Sequence, residues 1–408
     1  MNLSPQHIII VGGGHGGGSV AGFLRQYGWK GPITLIGDEP VAPYHRPPLS
    51  KAWLTGAADA SSLALRQADY YGQQSITLRL SSRVRSIDRG PRQVVLESGE
   101  TLGYDHLILA LGSRPRRLTL QGAGLAGVLE LRSVADADAL KAAIGAGRRL
   151  AIIGAGYIGL EVAASARMLG AEVVVIEREA RVLARVSCIP LSNFFEGFHR
   201  HQGVEFELNA QVAAFVDDRG KVGGVQLADG RVIACDAALV GVGGIANTEL
   251  ARDAGLDCGD GIIVDQTACT SDPAIRAIGD CTNRALPHYH RRGRLESVPN
   301  ALEQARQAAA ALCGRTPPVP EVPWFWSDQY DLKLQIAGLP FDATEVIVRG
   351  DPATGQFALF HLTVDGAIQA VEAVNAGPEF MAGKLLIGQG RRVDRAKLRD
   401  PAVSMKEI

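Results

Sequence analysis

Two stretches of the chain set three glycines where a phosphate could lie against bare backbone. Gly12-Gly13-Gly14-His15-Gly16-Gly17 follows the apolar run Ile8-Ile9-Ile10-Val11 and precedes Ser19-Val20-Ala21-Gly22-Phe23-Leu24. Gly154-Ala155-Gly156-Tyr157-Ile158-Gly159 follows Arg149-Leu150-Ala151-Ile152-Ile153 and precedes Leu160-Glu161-Val162-Ala163-Ala164. In a Gly-x-Gly-x-x-Gly turn the first glycine makes the bend, the second lets backbone approach a pyrophosphate, and the third lets helix and strand pack closely. The helix that follows offers unpaired N–H groups and a partial positive charge to the phosphates. Gly12, Gly14 and Gly17 in the first turn are therefore candidate cofactor-binding residues. So are Gly154, Gly156, Ile158 and Gly159 in the second. One such turn is common after a strand; two in one chain point to two dinucleotide sites.

The acids that close each unit discriminate between ligands. The second unit ends Glu172-Val173-Val174-Val175-Ile176-Glu177. Glu177 follows Gly154 at close to the offset of about 20 residues where a carboxylate meets the ribose hydroxyls of NAD. A carboxylate there repels a 2′-phosphate, which favours NADH over NADPH, although Arg178 beside it softens the preference. The plainer alternative for Glu177 is a strand-end charge in solvent. The first unit ends Ile33-Thr34-Leu35-Ile36-Gly37-Asp38-Glu39. Asp38 and Glu39 compete for the same role, and Asp38 is preferred as the nearer to the strand end.

Strand, helix and strand must hold each turn, so the chain contains two βαβ units, too widely spaced for a solenoid. Gln93-Val94-Val95-Leu96 and the Ser98-Gly99 turn predict a hairpin, and Leu107 to Leu111 a buried strand stopped by Gly112 and Pro115. Ala237 to Val240 runs into Gly241-Val242-Gly243-Gly244, and Ala274 to Asp280 follows. Alanines, Leu302 and Gln304 predict a helix from about residue 300 to 312. Thr316 to Pro323 carries four prolines' worth of helix breaking and reads as a linker. Apolar runs at 345–348 and 357–362 then predict strands of a smaller domain. The expected fold class is α/β, with two Rossmann-like nucleotide-binding domains and a C-terminal α+β domain.

Composition narrows the function. The 408 residues allow two or three domains; 46% are hydrophobic and 21% charged, which excludes a largely disordered chain. The net charge is −1, so no global basic excess exists to grip nucleic acid or anionic lipid. The run from Leu150 to Leu169 is broken by Glu161 and Arg167, and no stretch reaches the about 20 apolar residues of a spanning helix. The start lacks a basic region and a small-residue cleavage site, so a cytoplasmic location is expected. Cys188, Cys235, Cys258, Cys269, Cys281 and Cys313 include no Cys-x-x-Cys pair, so neither a redox disulfide nor a zinc ribbon is expected, and no metal site.

Five segments carry a family resemblance. They are Arg46-Pro47-Pro48-Leu49-Ser50-Lys51; Gly154 through Glu161; Thr270-Ser271-Asp272-Pro273 with Ala277-Ile278-Gly279-Asp280-Cys281; Glu296-Ser297-Val298-Pro299-Asn300-Ala301; and Trp324-Phe325-Trp326-Ser327-Asp328-Gln329. On these, and over nearly its whole length, the chain resembles the FAD-dependent pyridine-nucleotide reductases. Within them it resembles the oxygenase-coupled NADH–ferredoxin reductases, of putidaredoxin reductase type. The resemblance implies a glutathione-reductase-like plan. Residues 1–115 and 241–321 would bind FAD, 116–240 would bind NAD, and 322–408 would form the third domain beside the flavin edge and the redox partner.

The same resemblance implies residue roles. Asp280 accepts hydrogen bonds from the ribityl hydroxyls of FAD, with a helix N-cap as its alternative. Arg46 is a ligand of the FAD phosphate or adenosine side. Lys51 lies beside the isoalloxazine, and Glu161 near Lys51 and the nicotinamide amide, with a solvated helix face as the alternative for Glu161. Trp326 lies near the exposed flavin edge, or else Trp324 and Trp326 are plain core aromatics. Val84, Arg132, Val298 and Gly243 are expected with them at the cofactors. Two departures stand out: the strand end Ala110-Leu111-Gly112 lacks the family's threonine, and Gly243-Gly244-Ile245-Ala246-Asn247 lacks its proline. His15, inside the first turn, is expected as a loop or flavin-side polar contact.

The function implied is transfer of a hydride from NADH to FAD, then of single electrons to a 2Fe–2S ferredoxin that supplies a cytochrome P-450 monooxygenase. A ring-dioxygenase reductase is the alternative. An NADH oxidase, peroxidase or disulfide reductase would need a thiol near the flavin, which Arg46 to Lys51 does not offer. A redox-sensing binding protein is the third reading. Arg291, Arg292 and Arg294, with His288 and His290, form either a docking patch for an acidic ferredoxin or a solvated loop. A monomer or weak dimer is expected.

Overall fold

The structure is a computed structural model and describes residues 6–408. The start of the chain, where no leader was expected, lies mostly outside the described residues. In chain order the elements begin with β1 (Ile8–Val11), α1 (His15–Gln26), β2 (Ile33–Ile36), β3 (Ile76–Arg79) and β4 (His106–Leu109). Then come β5 (Val128–Leu129), β6 (Arg149–Ile153), α2 (Tyr157–Met168), β7 (Glu172–Ile176), α3 (Ile189–His201), β8 (Val204–Glu207) and β9 (Ala237–Val240). After these lie β10 (Ile275–Ala277), α4 (Val298–Leu312), β11 (Trp324–Gln329) and β12 (Leu332–Gly338). The last are β13 (Glu345–Asp351), β14 (Gln356–Leu362), β15 (Ile368–Val374) and α5 (Gly377–Gly388). Contacts group the chain into two units. Unit one runs through His45 and adds Ala60–Arg114 and Ala246–Phe325; unit two holds Arg46–Asp59, Pro115–Ile245 and Trp326–Ile408.

Unit one is built on a sheet in the order β10-β4-β1-β2-β3, with every pairing parallel. All four residues of β1 are buried, because the sheet is covered on both faces. Ile8 and Ile10 pack with Val20 and Leu24 of α1 and with Ala305, Ala308 and Ala309 of α4. Ile9 and Val11 pack the other way, with Val94, Leu96 and Leu256. Each of these isoleucine, valine and leucine side chains contributes roughly 1.5–3 kcal/mol of burial. Val94 and Leu96 belong to the predicted hairpin, whose strands Gln93–Leu96 and Thr101–Gly103 pair antiparallel. The order reverses between β1 and β4, so a crevice opens beyond their carboxyl ends, where doubly wound sheets bind ligands.

Unit two repeats the pattern in the order β8-β7-β6-β9-β5, again parallel throughout, with its reversal between β6 and β9. Its tail forms a five-stranded sheet, order β11-β12-β15-β14-β13, antiparallel where β12 to β15 pair and packed by α5. The tail is α+β, as its alternating apolar runs predicted. Residues 316–323 carry no regular structure, as a proline-rich linker should. Among the described residues, no helix is long and apolar enough to cross a membrane.

Candidate functional site

The turn after β1 is held by glycine for steric reasons. Gly12 has φ +117°, and a Cβ there would meet the Ala110 carbonyl oxygen at 2.2 Å. A Cβ on Gly17 would meet the Gly12 oxygen at 1.9 Å, so only glycine lets α1 approach β1 this closely. Gly14 is the N-cap of α1, and no side chain caps that end. His15, the first helical residue, is 8% exposed and its Nε2 lies 3.0 Å from Nδ1 of His45. The imidazole therefore sits in a histidine pair at the base of the turn.

The other unit-one candidates lie on several elements. Asp280 stands in a 3-10 turn directly after β10, and its Oδ2 accepts the Ser113 hydroxyl at 3.1 Å. A strand, Thr282–Leu286, follows, which removes the helix N-cap reading of Asp280. Val298 begins α4, capped by the Ser297 hydroxyl. Val84 packs against the apolar cluster of unit one. Asp38 is exposed, whereas Glu39 is half-buried and accepts the Tyr44 hydroxyl at 2.6 Å.

In unit two the three glycines of the second turn have separable roles. Gly154 has φ +105°, and a Cβ there would meet the Gly241 oxygen at 2.5 Å; one on Gly159 would meet the Gly154 oxygen at 2.2 Å. Around Gly156 a Cβ would meet nothing within 4 Å. Gly156 is the N-cap of α2, and no side chain caps that helix end. Packing within the protein does not require a glycine at 156; a pyrophosphate against the backbone does. Ile158, at the same helix end, is an apolar side chain left 51% exposed.

Glu177 is half-buried rather than free in solvent. Its two oxygens accept the backbone N–H of Ala155 at 2.7 Å and of Glu179 at 3.0 Å, which pins the carboxylate beside the turn. Arg178 turns away and pairs with Glu179. Gly243 has φ +103°, near the Arg185 guanidinium. Arg46 donates from Nη1 to the Arg132 carbonyl at 2.5 Å, so these two expected cofactor contacts are neighbours.

Lys51 and Glu161 come together as an ion pair, Nζ to Oε2 at 2.6 Å. Glu161 is 5% exposed, so the solvated-face alternative falls. Its Oε2 also accepts the Ser50 hydroxyl at 2.5 Å, and Oε1 accepts the Ser327 hydroxyl at 2.6 Å. Gln329 Nε2 donates to Ser327 Oγ at 3.1 Å, and Gln329 Oε1 lies 2.8 Å from His199 Nε2. Burial pushes the His199 pKa down to about 4. The sequence reading missed Ser50, Ser327, Gln329 and His199 as participants. One signal existed: Leu191, Phe195 and His199 are spaced four apart on α3 and all three are buried, so a histidine continues an apolar stripe. On β11 Ser327 and Gln329 are buried, while Trp326 and Asp328, on the opposite face, are half-buried.

The arginine cluster is partly spent. Arg294 pairs with both Asp260 and Glu296, and Arg292 donates to the Val264 and Asn283 carbonyls. The thiols are poorly suited to nucleophilic work. All six cysteines lack a disulfide partner; burial pushes Cys281 up to about 12 and Cys235 up to about 11. Burial and the Glu372 charge likewise push Cys188 up to about 12. Cys188 and Ser187 donate to Glu372, which also bonds His361 Nε2. Three donors already satisfy that carboxylate, so the cluster acts as a buried brace.

Comparison with known proteins adds to this geometry. Residues 6–305 match the family described as Pyridine nucleotide-disulphide oxidoreductase, and residues 324–408 match one described as Reductase C-terminal. The chain is 52% identical over 404 residues to a probable ferredoxin reductase, CtmF, of Castellaniella defragrans, covering 99% of this chain and 98% of that one. It is 44% identical over 408 residues to putidaredoxin reductase CamA of Pseudomonas putida, covering 98% and 96%. Among solved structures, a chain of the covalent putidaredoxin reductase–putidaredoxin complex superposes with a TM-score of 0.96 at 43% identity, covering 99% of this chain and 98% of that one.

Proposed function

Because the chain belongs to the pyridine nucleotide-disulphide oxidoreductase family and carries a reductase C-terminal domain, we propose that it is an NADH-dependent flavoprotein reductase passing electrons one at a time to a 2Fe–2S ferredoxin. FAD, when bound, supplies an acceptor for the hydride and a donor of single electrons, which is needed because NADH gives pairs and the cluster takes one. The observation that carries the reading is the pair of glycine turns, above all the space around Gly156 at a helix end that no side chain caps. Residues 1–115 and 241–321 are the proposed FAD domain, 116–240 the NAD domain and 322–408 the C-terminal domain.

The chain's own residues bind and orient. Gly12, Gly14 and Gly17 cradle the FAD pyrophosphate, and Val84, Asp280 and Val298 line its remainder. Asp38, exposed at the strand end, takes the adenosine ribose, while Glu39 holds the Tyr44 hydroxyl. Arg46 serves the FAD phosphate or adenosine side, and Arg132, whose carbonyl it bonds, lies with it at the cofactor. Gly154, Gly156, Ile158, Gly159 and Gly243 hold NADH, and Glu177 selects it over NADPH. Lys51 and Glu161 are the charged pair for the flavin and nicotinamide, and Trp326 lies toward the partner. The high thiol pKa values and unpaired cysteines argue against an oxidase or disulfide reductase and suit the reducing cytoplasm.

A cytochrome P-450 monooxygenase is the proposed terminal acceptor, supported by the Trp324–Gln329 segment. Anaerobic mixing of the FAD-loaded protein with NADH should bleach the visible flavin absorbance, and NADPH should do so much more slowly. Addition of a 2Fe–2S ferredoxin should restore the colour in two one-electron steps. A protein that takes up no flavin, or whose flavin stays oxidised with NADH, overturns the reading. Reconstitution with a ring dioxygenase but with no P-450 would move the terminal acceptor.

A further inference from the structure

We propose that Gln329 and His199 are positioning residues: with Ser327 they form a buried chain of hydrogen-bond donors that aims the Glu161 carboxylate at Lys51. This rests on the preceding reading, in which Lys51 and Glu161 serve the bound cofactors.

The direction of the chain follows from donor and acceptor chemistry. Gln329 Oε1 only accepts, so His199 Nε2, 2.8 Å away, carries the proton. That leaves Nδ1 as a bare acceptor, and Nδ1 indeed has no hydrogen-bond partner. Gln329 Nε2 then donates to Ser327 Oγ, so the one hydroxyl proton of Ser327 goes to Glu161 Oε1. Ser50 and Lys51 donate to Oε2. Every donor thus points inward at a single carboxylate.

Burial makes the arrangement binding. His199 and Ser327 are 0% exposed, Gln329 1% and Glu161 5%, so water cannot stand in for a missing link. A histidine neutral at working pH keeps the direction fixed. The links are not needed for packing: a leucine at 199 would continue the stripe of Leu191 and Phe195. Burying an imidazole and a carboxamide instead is costly unless both are bonded. Among the described residues, Lys51 is the charge bonded to Glu161. On β6 and β7, packed against α2, Arg149 turns to Glu205 and Glu172 to solvent. The chain joins α2, α3 and β11, so the strand that bears Trp326 is tied to the Lys51–Glu161 pair.

The test is anaerobic stopped-flow reduction of the FAD-loaded full chain by NADH, reading the limiting rate and the half-saturating NADH concentration separately. H199L and Q329L should lower the limiting rate roughly tenfold while half-saturation moves by less than about twofold. H199Q, whose amide can donate to Gln329, should return the rate to within about twofold of the parent. S327A removes one hydroxyl with little change of volume and should be as slow as Q329L. A purely structural role would lower stability in all of these without rescue by H199Q. The inference is overturned if H199Q is as slow as H199L, or if S327A reduces its flavin at the parent rate. Failure of the underlying reading is distinct, since the unaltered protein would then not be reduced by NADH at all.

Discussion

Removing the Lys51 ammonium should destabilise the protein through the carboxylate it leaves behind. At 2.6 Å and an effective dielectric constant of about 20, the gross attraction is about 6 kcal/mol. Desolvation of both groups offsets much of it, and the Lys51 side chain keeps 20% exposure against 6% for Glu161. Breaking a fully buried pair costs about 3–5 kcal/mol. The two serine hydroxyls stay bonded to Glu161, so K51M should cost about 2–3 kcal/mol. E161Q in the K51M background removes the orphaned charge and should recover roughly 2 kcal/mol of that loss. The assay is a double-mutant cycle on K51M, E161Q and the double variant, read by urea unfolding. A coupling energy below about 0.5 kcal/mol would refute the reasoning, because two independent sites would give that result.

Three further outcomes are expected. G156A should fold normally, since its Cβ meets open space, yet raise the half-saturating NADH concentration at least about tenfold; G154A, with φ +105° and a carbonyl 2.5 Å from the new Cβ, should instead cost more than about 1–3 kcal/mol in unfolding experiments. E177A should narrow the preference for NADH over NADPH on the order of tenfold in kcat/KM, because the carboxylate that repels a 2′-phosphate is gone. Burial lowers the His199 pKa from 6.5 to about 4, so its contribution to stability is complete above pH 6.5 and is lost as the pH falls toward 4. H199Q should therefore lack about 3 kcal/mol of the parent's acid destabilisation over that interval, measured as unfolding free energy against pH.

Much was legible along the chain because the relevant chemistry is local. A glycine turn, the strand before it and the helix after it are neighbours in sequence, so Gly12 to Gly17 and Gly154 to Gly159 declare themselves without any fold. The apolar runs of β1 and β6 likewise announce strands covered on both faces. Glu177 was legible as a candidate from its offset, but its bonds to the Ala155 and Glu179 backbone were not. Asp280 was legible as a strand-end acid; that it sits in a 3-10 turn and that a strand follows was not.

The linear order of residue types therefore determined which elements form and which turns can accept a phosphate, since those depend on backbone sterics over a few positions. Only the tertiary structure decided that Ser50, Glu161, His199, Ser327 and Gln329 share one buried network. Hydrogen-bond direction and burial depend on which distant segments converge, and a solitary histidine or glutamine carries no mark of its future neighbours.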